Sequence, residues 1–266
     1  MARLAVIAGK GTLPVTLADS ARSHGEEVVI IRIAGQADAD FSAFEVFDAP
    51  LGAVGQARDL IQQAGCDRVV MVGKINRPSL SQLKPDAAAV KLLARAVGRG
   101  DDALLRVISE FLAEAGIETL SPERFLPGAM MPAGIVTGSL ADDLRRDIDG
   151  GKAVLDALGK HDVGQGAVLQ DALVLAIEGA EGTDGMLRRV ATLIDPAAPP
   201  AVFVKRRKSG QDARLDIPVV GEETLRLAAE SGVRVVALEA GGVMLAAEPE
   251  TLWELASGLD ITVIGI

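Results

Sequence analysis

A continuous apolar run, Arg3-Leu-Ala-Val-Ile-Ala8, breaks directly into Gly9-Lys-Gly-Thr-Leu-Pro14 and then into helical spacing through Leu17, Ala18 and Ala21. Apolar residues in unbroken succession describe a strand covered on both faces, and Pro14 suits the first turn of a helix, where its missing N–H costs nothing. The same order returns with a second buried strand at Val28–Ile33, a short third at Phe44–Phe47, a helix at Ala57–Ala64 and a fourth strand at Arg68–Val72 ending in Gly73. Helices at Ala87–Val97 and Asp102–Ala115 follow, separated by Gly98-Arg-Gly-Asp-Asp102, whose carboxylates suit a helix start. Strands alternating with helices can close only as a parallel sheet with helices on both faces.

This half therefore reads as a Rossmann-like parallel-sheet domain over 1–134. The prolines and glycines of Ser121-Pro-Glu-Arg-Phe-Leu-Pro-Gly128 and Pro132-Ala-Gly134 mark the connection to a second unit, 135–266. There a helix over Leu140–Leu158 precedes more closely spaced strands: Ala167–Leu169, Leu173–Ile177, Ala201–Lys205, Val235–Leu238, Val243–Ala246 and Ile261–Ile264. Helices at Asp184–Ile194, Glu222–Ala229 and Glu250–Ser257 interrupt them, so the expected fold class is α/β with a mixed α+β C-terminal domain. Asp195-Pro-Ala-Ala-Pro-Pro200 has the composition of a surface loop.

Composition excludes several functions. One cysteine, Cys66, and two histidines, His24 and His161, rule out a cysteine-based zinc cluster or a His-rich centre, so any metal must be hard and oxygen-bound. A formal charge of −10 argues against a broad nucleic-acid footprint, and aromatic residues at 3%, with no Tyr, weaken any base-stacking surface. No apolar run reaches the length of a membrane span and no signal-like segment opens the chain, so a cytoplasmic location is expected.

Chemistry concentrates in a few motifs. Gly9 and Gly11 let backbone N–H groups approach phosphate, but Pro14 replaces the third glycine of a dinucleotide fingerprint. Ile31-Arg32-Ile33 stands where a ribose-binding acid would end the second strand, so NAD is disfavoured. Lys74 and Arg77 in Gly73-Lys-Ile-Asn-Arg-Pro78 follow a strand's carboxyl end, where open α/β sheets bind ligands. Asp101 and Asp102 sit at a helix start, Gln165 in Val163-Gly-Gln-Gly166, and Thr183 and Asp184 at the end of Glu178-Gly-Ala-Glu-Gly-Thr-Asp184. The densest stretch is Lys205-Arg-Arg-Lys-Ser-Gly-Gln-Asp-Ala-Arg-Leu-Asp-Ile-Pro-Val-Val-Gly221. Strand alternation would turn two of its four leading cations, Lys205 to Lys208, toward one face to meet a pyrophosphate, with Gln211 and Asp212 beyond them. Asp216, in a loop stiffened by Pro218, is a candidate hard-metal ligand.

In their order along the chain, Gly9-Lys-Gly-Thr-Leu-Pro14, Gly73-Lys-Ile-Asn-Arg-Pro78, Gly100-Asp-Asp102, Glu181-Gly-Thr-Asp184 and Gly210-Gln-Asp-Ala-Arg-Leu-Asp-Ile-Pro-Val-Val-Gly221 resemble the LpxI family of UDP-2,3-diacylglucosamine pyrophosphatases. The resemblance implies two domains with the substrate between them and Mg²⁺-dependent hydrolysis of UDP-2,3-diacylglucosamine to UMP and 2,3-diacylglucosamine 1-phosphate (lipid X) in lipid A biosynthesis. It implies Asp216, Asp212 and Asp184 as catalytic residues, with Asp216 on the metal. Substrate binding would fall to Gly9, Gly11, Lys74, Arg77, Asp101, Asp102, Gln165, Thr183, Lys205, Lys208 and Gln211. A diacylated substrate further implies peripheral contact with the cytoplasmic face of the inner membrane and an apolar groove, for which Leu140, Leu144, Val174 and Val243 are candidate walls; a homodimer is compatible with all of this. Two other readings stand beside it: a nucleotide-sugar oxidoreductase, which shares the βα start, and a non-catalytic sensor of UDP-sugar or lipid, which would keep the cations but not need Asp216.

Overall fold

The structure is a computed structural model that describes residues 3–75, 83–96, 101–208, 210–212 and 214–266. It divides into two compact units, one of residues 1–127 with 212–216, the other of 128–211 with 217–266, against the expected division at 134/135.

In the first unit five strands, β1 (Arg3–Ala8), β2 (Glu27–Ile33), β3 (Glu45–Ala49), β4 (Arg68–Val72) and β5 (Glu118–Leu120), form one sheet in the order β3-β2-β1-β4-β5. All its pairings are parallel. Leu4, Ala5, Val6, Val29, Ile30, Ile31, Val69 and Val70 have no exposed surface, as unbroken apolar runs require of a sheet covered twice. Helix α1 (Leu13–Ser23), with Pro14 in its first turn, packs on β1 and β2 through Leu13, Leu17, Ala18 and Ala21. Helices α2 (Val54–Gln63) and α4 (Asp101–Glu114) bury Ile61 and Leu112 in one cluster with Ala5, Ile31 and Val69, while α3 (Ala87–Ala96) lies against α2 and α4. The chain leaves β1 toward β2 and β3, then returns to place β4 on the other side of β1. The carboxyl ends of β1 and β4 thus flank the topological switch point, where an open α/β sheet opens a crevice.

The second unit holds a mixed six-stranded sheet in the order β6-β13-β11-β9-β7-β8. Its strands are β6 (Gly134–Thr137), β7 (Gly166–Gln170), β8 (Leu173–Ile177), β9 (Ala201–Lys205), β11 (Val233–Leu238) and β13 (Thr262–Gly265). β9, β11 and β13 run parallel, and antiparallel pairings add β6 at one end and the β7–β8 hairpin at the other. Helix α5 (Leu144–Gly159) covers one face through Leu144, Ile148 and Leu155. Helices α6 (Gly182–Val190), α7 (Glu222–Ser231) and α8 (Pro249–Gly258) cover the other, around the fully buried Phe203. Each large apolar side chain withdrawn in this way contributes about 1.5–3 kcal/mol. A two-stranded parallel ribbon, β10 (Val219–Val220) with β12 (Met244–Leu245), replaces the longer strand expected over Val243–Ala246.

Three short elements lack a sequence signal: β5, β6 and β10 are two to four residues long, too short to show a period. Two of the expected groove walls are core: Val243 is fully buried and Leu144 is 5% exposed, both packed in the clusters that flank the sheet. Leu140 also packs against that core, and of the four only Val174, on edge strand β8, keeps a large exposed face. Among the described residues no helix is long and apolar enough to cross a membrane.

Candidate functional site

At the switch point of the first sheet the two glycine turns lie backbone against backbone. The Gly9 N–H donates to the carbonyl of Val72, and Lys10 and Lys74 exchange N–H···O bonds of 2.8 and 3.1 Å. A side chain on Gly9 would meet the Gly73 carbonyl oxygen at 2.7 Å, and one on Gly73 would meet Pro14 Cγ at 2.9 Å. Gly73 also has φ +97°, a conformation that glycine alone adopts cheaply. Close packing therefore requires glycine at both turns.

Gly11 (φ +98°) has open space around it, but its N–H already donates to Asp38 Oδ1 at 2.8 Å. No acid stands at the end of β2, as expected, and Arg32 there forms a two-point pair with Asp48. An acid from the following loop reaches the glycine turn instead, and nothing in the local sequence marked it.

Asp212 and Asp216 cluster with this first unit. The Asp216 N–H donates to the Asp212 carbonyl, closing one helical turn before Pro218. Asp212 accepts a two-point pair from Arg214, whose guanidinium holds the carboxyl below its usual range. Arg77 lies outside the described residues, and Asp101 and Asp102 open helix α4, with side chains outside what is described.

The second sheet assembles its candidates at one edge. The carboxyl ends of β8, β9 and β11 and the start of β7 coincide there, with Gly166 paired to Lys205. Lys205 is 3% exposed and donates to the Thr183 hydroxyl at 2.6 Å, which in turn donates to Glu178 Oε1 at 3.0 Å. Glu178, 8% exposed, holds its other oxygen 3.8 Å from the Lys205 ammonium and 3.3 Å from the N–H of Gln165. Thr183 is thus no helix cap: α6 begins at Gly182, and the hydroxyl bridges a buried ion pair instead. Asp184 lies in the same first turn.

The four consecutive cations do not alternate along a strand, because β9 ends at Lys205. Each meets its own acid instead: Lys205 Glu178, Arg206 Asp156, Arg207 Glu239 and Lys208 Asp162. The Gln211 side chain accepts from the Lys208 N–H at 3.1 Å and so orders the turn after them. Glu239, at the end of β11, also accepts from the Arg207 N–H at 2.7 Å. Glu178 and Glu239 were not among the expected site residues, although each is an acid just past a strand's carboxyl end, a position that could have flagged them.

The described carboxylates do not assemble into a cage for a hard cation. Among the described residues no three His, Cys, Asp or Glu side chains stand close enough to hold a metal, and Glu178, Glu239, Asp162 and Asp212 are committed to cations. A hard cation here would have to take most of its ligands from water and from a bound phosphate rather than from a protein cage.

Fold and site together define a two-unit α/β protein with glycine turns at the carboxyl edge of one sheet and paired charges at that of the other. Residues 3–129 match the LpxI N-terminal domain and residues 132–264 the LpxI C-terminal domain, so the chain belongs to the LpxI family. It is 34% identical to the UDP-2,3-diacylglucosamine pyrophosphatase LpxI of Caulobacter vibrioides across 100% of this chain and 98% of that protein. Two solved structures superpose loosely: a CobK precorrin-6A reductase (TM-score 0.35, 18% identity, 100% of this chain and 88% of that one) and a glycinamide-RNase-transformylase T from Mycobacterium tuberculosis (TM-score 0.26, 15% identity, 66% and 43%). The full-length family match overturns the two alternatives, oxidoreductase and non-catalytic sensor, and makes the chain a hydrolase of a diphosphate bond. It corrects the functional expectation in one respect: membership carries the hydrolysis and not the magnesium dependence.

Proposed function

We propose that this hydrolase acts on UDP-2,3-diacylglucosamine, releasing UMP and 2,3-diacylglucosamine 1-phosphate in lipid A biosynthesis. The observation that carries the reading is the end-to-end match to a pyrophosphatase of that name. A diacylated substrate resides in a bilayer, so the chain would meet the membrane peripherally.

The chemistry needs neutralised non-bridging oxygens and an oriented water. Lys205 is suited to neutralising the oxygens, being a buried ammonium at the carboxyl end of β9. The glycine turn stands at the head of α1, and with the Gly9 and Gly11 N–H groups bonded to Val72 and Asp38, what it offers an anion is the positive end of that helix. In the reaction water adds to the phosphorus attached to the sugar, the bond to the bridging oxygen breaks, and UMP departs with that oxygen. A Mg²⁺ ion bound by Asp216 and the substrate's phosphates would supply charge neutralisation.

The test is release of UMP from a panel of UDP-sugars, acylated and not, with added Mg²⁺ and with EDTA. The diacylated substrate is expected to be turned over with kcat/KM far above that of UDP-N-acetylglucosamine, and equal values would remove the lipid from the reading. Activity that survives EDTA would remove the metal while leaving the hydrolase. Asp216→Ala is expected to lose at least about a hundredfold in kcat, roughly 2.7 kcal/mol of barrier, while still binding substrate; a loss under about tenfold would sink the role of Asp216.

A further inference from the structure

The carboxyl edge of the second sheet is built around a carboxylate that the pyrophosphatase reading does not itself use. Glu178 follows β8 and is enclosed on several sides. Gly164 (φ +43°) passes so close that a Cβ there would lie 2.0 Å from the Glu178 carbonyl oxygen, and a Cβ on Gly166 would lie 2.8 Å from its Oε2. The Glu178 N–H donates to the Gly166 carbonyl at 2.8 Å. Gly164 thus clears the backbone at position 178, and Gly166 leaves room for the Glu178 carboxylate and the Phe203 ring. Its two oxygens are divided between the Thr183 hydroxyl on one side and the Gln165 N–H and Lys205 ammonium on the other.

We infer that Glu178 is a positioning residue of this hydrolase: through Thr183 it fixes the Lys205 ammonium at the sheet edge, and through the Gln165 N–H it fixes the side chain beside it. Two buried opposite charges joined by one hydroxyl leave the ammonium few other places to go. Burying two opposite charges is costly and is offset only where their geometry and remaining hydrogen bonds are good. A second, independent feature points to a ligand: among the described residues, the buried Oε1 of Gln165 meets no hydrogen-bond donor. Buried acceptors rarely stay unpaired, so a donor arriving with the substrate, a sugar hydroxyl or amide N–H, would complete it.

The inference rests on the hydrolase reading, and a double-mutant cycle separates the two. Glu178→Gln, Lys205→Met, Thr183→Val and the pairs are checked for folding by circular dichroism. They are then compared for UMP release from UDP-2,3-diacylglucosamine and for calorimetric binding of UDP. If Glu178 acts through Lys205, Glu178→Gln lowers kcat/KM at least about tenfold, yet costs less than about threefold once Lys205 is already Met, because coupled residues are not additive. Thr183→Val, close in shape and lacking the hydroxyl, gives a smaller loss that also disappears in the Lys205→Met background. Should Glu178→Gln fail to fold, the Thr183 cycle decides alone. Additive losses in folded proteins overturn the inference, as does wild-type kcat/KM in folded Glu178→Gln. If the wild-type chain binds UDP but releases no UMP, the activity reading fails and the same cycle is scored on UDP affinity. If it does neither, both fail.

Discussion

At the carboxyl edge of the first sheet, Gly9 and Gly73 touch through bare backbone. At the same edge of the second, Lys205 to Lys208 each meet a separate carboxylate. The first arrangement has its turn N–H groups satisfied within the protein and leaves a helix end, which carries no net charge and needs no counterion. The second stores full charges, and in a chain of net charge −10 a run of four cations finds acids before it finds a ligand. A pyrophosphate approaching the second edge competes with carboxylates already in place, whereas the first edge is limited by space. Charge-built and backbone-built edges should accordingly fail in different ways when altered.

The largest effect expected is on the backbone-built edge. Gly73→Ala forces a side chain against Gly9 and Pro14 at an unfavourable φ, and should destabilise the protein by about 3 kcal/mol, read as a lower urea midpoint with an unchanged slope. A loss below about 1 kcal/mol would mean the two turns yield easily and that close packing does not define this edge.

A smaller effect of opposite sign is expected at the charge-built edge. Asp162 has φ +55°, which Asn also tolerates, so Asp162→Asn should keep the turn while releasing Lys208 from its acid. UDP should then bind more tightly by about fivefold, roughly 1 kcal/mol, with the gain shrinking in high salt. Weaker or unchanged binding would show that the paired acids do not compete with the ligand.

The smallest effect concerns the loop that carries Asp216. The Arg214 guanidinium lowers the pKa of Asp212, so the pair's stabilisation is fully present above the ordinary carboxylate range and is lost as pH falls through the depressed folded value. Arg214 is 54% exposed, and the contribution should be only about 0.5 kcal/mol. Melting curves of wild type and Asp212→Asn should differ slightly at pH 7 and converge at acid pH. A gap that widens toward low pH would reverse the sign and count against the pairing.

Long-period features were readable from the chain. Both sheets, the eight helices described and the mixed character of the second half followed from apolar runs and helical spacing, which persist over enough residues to define a period. Shorter features were not. β6 was invisible because a four-residue edge strand, half exposed, has no run to detect. The four cations suggested strand alternation, but β9 ends at the first of them. Leu144 and Val243, apolar enough to wall a groove, pack in the core, because hydrophobicity alone does not say which neighbour covers a side chain.

The sequence by itself determined the order of the longer strands and helices, the two glycine turns and the family, because each is written in contiguous residues. It could not pair Lys205 with Glu178, Arg207 with Glu239 or Gly11 with Asp38, which lie 27, 32 and 27 positions apart. Those partners are chosen only when parallel strands bring their carboxyl ends to one edge. A buried charge or an N–H takes whichever opposite group the fold delivers within hydrogen-bond reach, and that choice belongs to the tertiary structure.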